Sequence, residues 1–410
     1  MKFIFFFCLS LLINHINYAQ TGLLSCPDID LGPDTSIICT TSCFQLQASV
    51  QEVGESTSYI VDSISYLPPY AFNQGTPIMV GFDDVFSEKI ELPFNFCFFG
   101  GIYDKIVVGA NGVITFDTTY ASPPNFNWFN ATVCDWSFNQ SIPNSTGLPY
   151  RNSINGAYHD IDPSSLGNIR YAILGNSPCR TFVVNYESVP HFDCSNLITT
   201  QQIVLYESTN IIEIYIQDKP ICTSWNSGNA VLGIQNDSGT LAYTPINRNT
   251  GSWSANNEAW RFTPNGSPSY SIEWFDNAGN TIGSLDTLTV CPNASTSYTA
   301  NITYILCDNS QVVVTDDINI NIINNTTNTT NQVFCDTYTW PINGQTYTSS
   351  GSYTDVTTNT NGCTHTEILN LTIDNNTTNT TSQVFCDTYT WPVNGQTYSA
   401  SGTYTDVTTN

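Results

Sequence analysis

The chain ends in two copies of one sequence, and this repeat limits what its C-terminal part can fold into. Residues 332–341 recur as residues 383–392, and an Asn-Gly dipeptide follows in each copy, which is a hairpin signal. A module of about 50 residues buries little apolar surface and needs a covalent staple or neighbours. We therefore predict small disulfide-stapled β repeats at 324–374 and 375–410. The second copy lacks the closing Asn-Gly-Cys of the first, which predicts a truncated piece of a longer array.

The cysteines support this interpretation. Their spacing lacks the paired Cys-x-x-Cys pattern that holds structural zinc, so disulfides formed in an oxidising compartment explain them better. We predict that Cys335 pairs with Cys363 inside the first repeat, and that Cys291 pairs with Cys307 in the segment before it. The pairing of the eight cysteines between residues 26 and 222 cannot be read from sequence.

The first residues predict an export signal at 1–19. Lys2 supplies a positive start, residues 3–13 form an apolar run and Ala19 is a small residue before the cut, so the mature chain begins near Gln20. The apolar run is about a dozen residues, shorter than the roughly 20 that span a bilayer. We expect a secreted protein at the outer cell surface, with no transmembrane segment.

The composition predicts an all-β fold. Only 10% of the residues are charged and 13% are aromatic, and the abundant Thr, Tyr and Phe pack well on pleated sheets. No window shows sustained helical periodicity. We predict an N-terminal β-sandwich domain at 20–263, with Asn111-Gly112 as one of its tight turns, and an immunoglobulin-like β domain at 264–323. The formal charge of −25 would repel nucleic acid and anionic membranes, which excludes both as partners.

Several segments of the chain carry a family resemblance. Residues 92–100, 106–116, 158–163, 233–236 and 257–262 resemble the N-terminal β domain of large exported proteins of gliding and related Bacteroidota. The Cys-Asp-x-Tyr-Thr-Trp repeat resembles the repeats that follow such domains. The resemblance implies type IX secretion, attachment to the outer surface and an adhesin-like or gliding-related role. It supplies no catalytic residues.

The sequence holds few signs of catalysis. It has no Gly-x-Ser-x-Gly, no His-Glu-x-x-His, no phosphate loop and no Gly-x-Gly-x-x-Gly, so we predict a non-enzyme without an organic cofactor. The one constellation is His159, Asp160 and Asp162, which are also the only candidates for an exported hydrolase. On a strand the two aspartates share one side and could bind a hard cation such as calcium.

Simpler interpretations compete with a calcium site. Two carboxylates fall short of the six or more oxygens that calcium takes, so we favour a polar turn ended by Pro163. The pair Asp83 and Asp84 forms another acidic cluster, which we interpret as a solvated loop.

Tryptophans suggest a second kind of function. Trp128, Trp136, Trp225 and Trp253 fall in stretches rich in Asn, Ser and Gly, and such rings can stack on sugars in a lectin-like module. Ordinary packing is the favoured alternative, because tryptophan is usually buried. Trp340 and Trp391 recur at equal repeat positions and are assigned to the module core. The predicted function is thus surface adhesion or display, with a glycan or protein ligand on an extracellular surface.

Overall fold

The structure is a computed structural model that describes residues 26–39, 43–78 and 81–408. The predicted export signal at 1–19 lies outside the described residues. The chain forms two compact units. The first comprises the residues up to Ser36 together with Ser42–Asn321, and the second comprises Ile37–Thr41 together with Ile322–Asn410. Apart from two 3-10 turns, Thr118–Tyr120 and Asn226–Gly228, the regular structure of the described residues is β, which confirms the predicted all-β class.

The first unit is built from strands of two to 13 residues. They are β1 Ile29–Asp30, β2 Thr35–Ile38, β3 Phe44–Gln47, β4 Ser49–Val50, β5 Tyr59–Ser63, β6 Thr76–Ile78, β7 Ile90–Phe98, β8 Gly101–Gly109, β9 Val113–Thr115, β10 Ser153–Tyr158, β11 Asn168–Leu174, β12 Thr181–His191, β13 Cys194–Tyr206, β14 Ile212–Lys219, β15 Val231–Gln235, β16 Ala242–Tyr243, β17 Ala255–Pro264, β18 Tyr270–Asp276, β19 Thr281–Gly283, β20 Thr287–Val290, β21 Thr296–Ile305 and β22 Gln311–Ile323.

The strands from β5 to β17 form the predicted β-sandwich. One sheet has the order β16-β15-β10-β9-β8-β7 and the other has the order β5-β17-β14-β13-β12-β11-β6. Side chains of both sheets meet in one core, as shown by the fully buried Ile106 and Val108 of β8 with Ile203 and Leu205 of β13. Burying an aliphatic side chain of this size stabilises the fold by roughly 1.5–3 kcal/mol. This shared core holds the two sheets together.

The turn between β8 and β9 is the tight turn predicted at Asn111-Gly112. The strands pair up to Gly109 and Val113, and Gly112 has φ +89°, which favours glycine. A Cβ atom added at Gly112 would also lie 2.6 Å from the carbonyl oxygen of Ala157 on β10. Conformation and close packing therefore both require glycine here.

The predicted immunoglobulin-like segment at 264–323 shares its sheets with strands from the start of the chain. A five-stranded sheet has the order β19-β18-β21-β22-β2, and a two-stranded sheet pairs β20 with β3. Trp274 of β18 is fully buried, and its indole N–H donates to the carbonyl of Leu285 at 2.7 Å. The strands β2 and β3 therefore belong to the sheets of this segment.

The predicted bond between Cys291 and Cys307 is wrong. Cys43 bonds to Cys291 and Cys97 bonds to Cys307. The register explains the first bond. Val290 of β20 lies opposite Phe44 of β3 in an antiparallel pair, so Cys291, which follows Val290, lies opposite Cys43, which precedes Phe44. The strands β20 and β21 belong to different sheets, so Cys291 and Cys307 are not brought together. Two further bonds, Cys26–Cys179 and Cys194–Cys222, also lie in this unit.

The second unit contains the repeats. Its strands are β23 Thr326–Cys335, β24 Tyr338–Thr339, β25 Thr346–Tyr347, β26 Gly351–Thr358, β27 Thr364–Asp374, β28 Tyr389–Thr390 and β29 Thr397–Tyr398. Trp340 packs on Leu369, Leu371 and Ile373 of β27, which confirms its place in the module core. The hairpin β24–β25 has its counterpart in β28–β29, so the repeated sequence gives a repeated local structure.

The predicted bond between Cys335 and Cys363 is also wrong. Cys363 bonds to Cys39, and Cys335 is exposed with a free thiol. The strands β23 and β27 run parallel, with Thr326 opposite His365 and Cys335 opposite Asp374. Cys363 precedes β27 whereas Cys335 ends β23, so about ten residues of strand, roughly 30 Å, separate the two cysteines. A sequence alone does not reveal this parallel pairing.

The thiols give a direct test of the cross-links. We expect a thiol reagent to label Cys335 and Cys386 in the native mature chain, because both are exposed. Cys134 should react only in denaturant, because it is fully buried and burial raises its pKa. Peptide mapping without reduction should find Cys39 joined to Cys363. Native labelling of Cys134, or a peptide joining Cys335 to Cys363, would contradict the structure.

Candidate cation site

Two acidic segments that are far apart in the sequence meet at one end of the sandwich, beside the turn between β8 and β9. Asp83 and Asp84 precede the bridge of Val85 with Val133, and Asp160 follows β10. Carboxylate oxygens of these three aspartates all lie within 4.8 Å of one another. We call Asp83, Asp84 and Asp160 the aspartate cluster.

A single buried amide holds the two segments together. The Asn111 side chain donates to Asp84 Oδ1 and to the carbonyl oxygen of Cys134, both at 2.8 Å. Its Oδ1 accepts the backbone N–H of Ile161 at 3.0 Å. Asn111 thus contacts the chain on both sides of the cluster, and the turn that carries it fixes where the aspartates lie.

Two indoles bind the carboxylates from the side. Trp136 donates its ring N–H to Asp84 Oδ2 at 3.2 Å, and Trp225 donates to Asp160 Oδ2 at 2.5 Å. The two rings pack on each other with centroids 5.1 Å apart, and Phe192 packs on Trp225 at 4.8 Å. Both tryptophans are half-buried, so they shield one side of the cluster from water.

Burial and mutual repulsion act on all three carboxyl groups. Burial is the largest cause that raises the pKa of Asp160 to about 8, and the charges of Asp84, Asp83 and Asp162 add to it. Burial and the charges of Asp84 and Asp162 raise the pKa of Asp83 to about 7. Burial also raises the pKa of Asp84, although the hydrogen bonds from Asn111 and Trp136 oppose the shift.

One oxygen of the cluster stands apart from the others. Asp160 is only 5% exposed, and its Oδ1 has no hydrogen-bond partner among the described residues. Among the residues that the structure describes, no lysine or arginine forms a salt bridge within 4.0 Å with the cluster. The arrangement is a set of carboxylate oxygens with which no lysine or arginine of the described residues forms a salt bridge.

The predicted metal ligands Asp160 and Asp162 have different places in the structure. Asp160 belongs to the cluster. Asp162 is close enough for its charge to raise the pKa of all three members, and its Oδ1 accepts the backbone N–H of Ser164 at 2.7 Å. Asp83 and Asp84, interpreted from sequence as a solvated loop, are the members that the sequence analysis missed.

The imidazole of His159 is turned away from the aspartates. Its Nδ1 lies 2.8 Å from the carbonyl oxygen of Ala157, and its Nε2 lies 3.3 Å from His191 Nε2. Burial lowers the pKa of both histidines, to about 4 for His191, so both are neutral near pH 7. The hydrolase hypothesis requires one site made of His159, Asp160 and Asp162, and the structure does not bring these three side chains together.

The candidate sugar-binding tryptophans lie in different surroundings, and Trp136 is half-buried beside Asp84. Trp253 is buried, donates to the carbonyl oxygen of Ala230 at 2.9 Å and has the Nζ of Lys219 4.6 Å from its ring centre. As a core residue it offers no surface for a sugar, so that prediction is wrong for Trp253. Trp225 is half-buried at the aspartate cluster. Trp128 is 57% exposed and packs on Phe82 at 4.9 Å.

The fold and the disulfides place the chain in the class of disulfide-bonded, all-β extracellular proteins. The first unit is a disulfide-bonded antiparallel β-sandwich, and five disulfides are typical of chains that fold in an oxidising, extracellular compartment. None of the helical segments in the described residues reaches the length and apolarity that a bilayer crossing requires.

The family is shown by a comparison with family models. The model described as NIDO related matches residues 60–270, just over half of the chain, and the chain belongs to this family. The matched residues include the whole aspartate cluster. No curated protein matches the chain.

The role of Asn111 can be tested through stability. Asn111→Ala removes a donor from the half-buried Asp84 and from the buried carbonyl of Cys134, and it removes the acceptor of the buried N–H of Ile161. We expect the free energy of unfolding to fall by about 2–4 kcal/mol in denaturant titrations. The control is Asn280→Ala, whose exposed side chain bonds only Asp276 and which should change stability by less than about 0.5 kcal/mol. Equal stability of the two variants would contradict this role.

Proposed function

We propose that the chain is an exported cell-surface protein that displays a NIDO-related sandwich on a repeat stalk and works in adhesion. The proposal rests on one observation: a single chain contains both a disulfide-bonded sandwich and repeated modules. A cross-linked β domain keeps its shape outside the cell, and repeated modules extend a binding surface away from its anchor. The resemblance to exported proteins of gliding Bacteroidota supports type IX secretion as the route.

Charge supports an extracellular partner other than nucleic acid. The chain has 34 acidic residues against nine basic ones, and a surface of this sign repels phosphate backbones and anionic lipids. The partner that we propose is a glycan or protein on an extracellular surface. A non-catalytic role is part of the proposal, supported by the separation of His159 from the aspartate cluster.

Cell attachment tests the adhesion proposal. Cells that lack the gene should attach to surfaces several-fold less than the parent, and the full-length gene should restore attachment. A gene that keeps the signal and the repeats but lacks residues 60–270 separates display from binding. It should be exported, as shown by protease treatment of intact cells, and should fail to restore attachment. Unchanged attachment and gliding in the deletion strain would overturn the proposal.

A carbohydrate-binding module is the second candidate, and the exposed Trp128 favours it. Trp128 leaves more than half of its surface in solvent and is supported by Phe82, which itself packs on Phe126 at 5.0 Å. Flat, supported aromatic rings of this kind stack on the apolar faces of sugars.

A glycan array with the mature chain tests this candidate. If the chain is a lectin, Trp128→Ala should weaken glycan binding roughly tenfold, because one aromatic stacking contact is lost. Ile246→Ala is the control, because Ile246 is 83% exposed in another loop of the same unit. The array contradicts the lectin if no glycan binds, or if both variants bind as the parent does.

A further inference from the structure

The aspartate cluster has the composition and spacing of a cation site. We propose that Asp83, Asp84 and Asp160 bind one hard divalent cation of the calcium class, with Asp162 adding negative charge beside them. This inference goes beyond the proposed surface role and does not depend on it. It assigns a ligand to the sandwich itself, whatever the sandwich binds on another surface.

The distances between the carboxylates suit a single ion. Protein oxygens lie 2.3–2.6 Å from calcium, so two oxygens on one ion are at most about 5 Å apart. One carboxylate oxygen from each aspartate lies within 4.8 Å of the other two, which meets this limit before any side chain moves. One ion can therefore contact all three aspartates at the same time.

The unpartnered oxygen of Asp160 is a separate argument for a ligand. A buried carboxylate oxygen without a donor is unfavourable, since it loses its water and gains no bond. Asp160 Oδ2 has its donor in Trp225, whereas the buried Oδ1 has none among the described residues. A bound cation would supply the missing partner.

The hydrogen bonds already present orient the ligands and leave them able to bind. Asn111 and Trp136 occupy one lone pair on each oxygen of Asp84, and Trp225 occupies one on Asp160. A carboxylate oxygen has two lone pairs, so each of these oxygens retains one for an ion. Outer donors of this kind fix the geometry of ligating carboxylates in metal sites.

The donor set indicates the class of ion. All three ligands are carboxylates, His159 faces another way, and oxygen-only sites suit calcium or magnesium better than zinc. Calcium takes six to eight oxygens, and three aspartates supply only part of that number. Asp83 and Asp84 are half-buried, which leaves a side open for water to complete the shell.

Terbium luminescence and thermal unfolding test the site in the mature chain. Terbium binds where calcium binds, and the indoles of Trp136 and Trp225 beside the carboxylates should sensitise its emission. We expect sensitised terbium emission that decreases when calcium is added, because calcium displaces terbium, and that zinc leaves unchanged. We also expect millimolar calcium to raise Tm by several degrees over chelator, because a ligand bound only by the folded state stabilises it.

The variant Asp160→Asn and a matched control locate the effect. Asparagine keeps an oxygen to accept the Trp225 N–H and removes one charge, so Tm in chelator should stay equal or rise while calcium no longer raises it. Terbium affinity should fall at least tenfold. Asp62→Asn changes an exposed aspartate of β5 and should behave as the parent does. The proposal is overturned if calcium does not raise the Tm of the parent, or if Asp160→Asn keeps the full calcium shift.

Discussion

The contact between the two sheets of the sandwich is the constraint on which the rest of the first unit depends. Residues such as Ile106 and Ile203 are fully buried because each sheet covers the apolar face of the other. Within one of the stacked sheets β8, β9 and β10 are neighbours, and Phe86 bridges Gly109 at the end of β8, so the turn after β8, the segment before Val85 and the residues after β10 meet at one end of these strands. The aspartate cluster is a consequence of this strand pairing, and no local preference of the three segments would produce it.

Local signals in the sequence were sufficient for local structure. The all-β class, the Asn111-Gly112 turn and the core position of Trp340 follow from composition, turn chemistry and repetition, which act over a few residues. Each of these predictions depends on neighbours in the chain, and the structure agrees with them. A short run of polar residues also indicated Asp160 as a candidate ligand, and that role stays a prediction.

Contacts between distant segments could not be predicted in the same way. Cys363 bonds to Cys39 and not to Cys335 because β23 and β27 run parallel, and nothing in the repeat sequence specifies that direction. Asp83 and Asp84 were interpreted as a solvated loop because their partner Asp160 lies on a distant segment. Asn111 gave a turn signal, but its side-chain contacts with Asp84 and Ile161 appear only when both segments are in place.

The scarcity of basic residues explains why no described lysine or arginine forms a salt bridge with the cluster. Arg180, Arg248 and Arg261 pair with Glu207, Glu258 and Glu213, so the arginines are used on glutamates elsewhere in the unit. Lys219 is buried and donates to the backbone oxygen of Trp253. A chain with such an excess of acids can leave most of them in water, where repulsion is screened. Asp160 is withdrawn from water, so its charge must be neutralised by a proton or by a bound cation, and an extracellular setting supplies both.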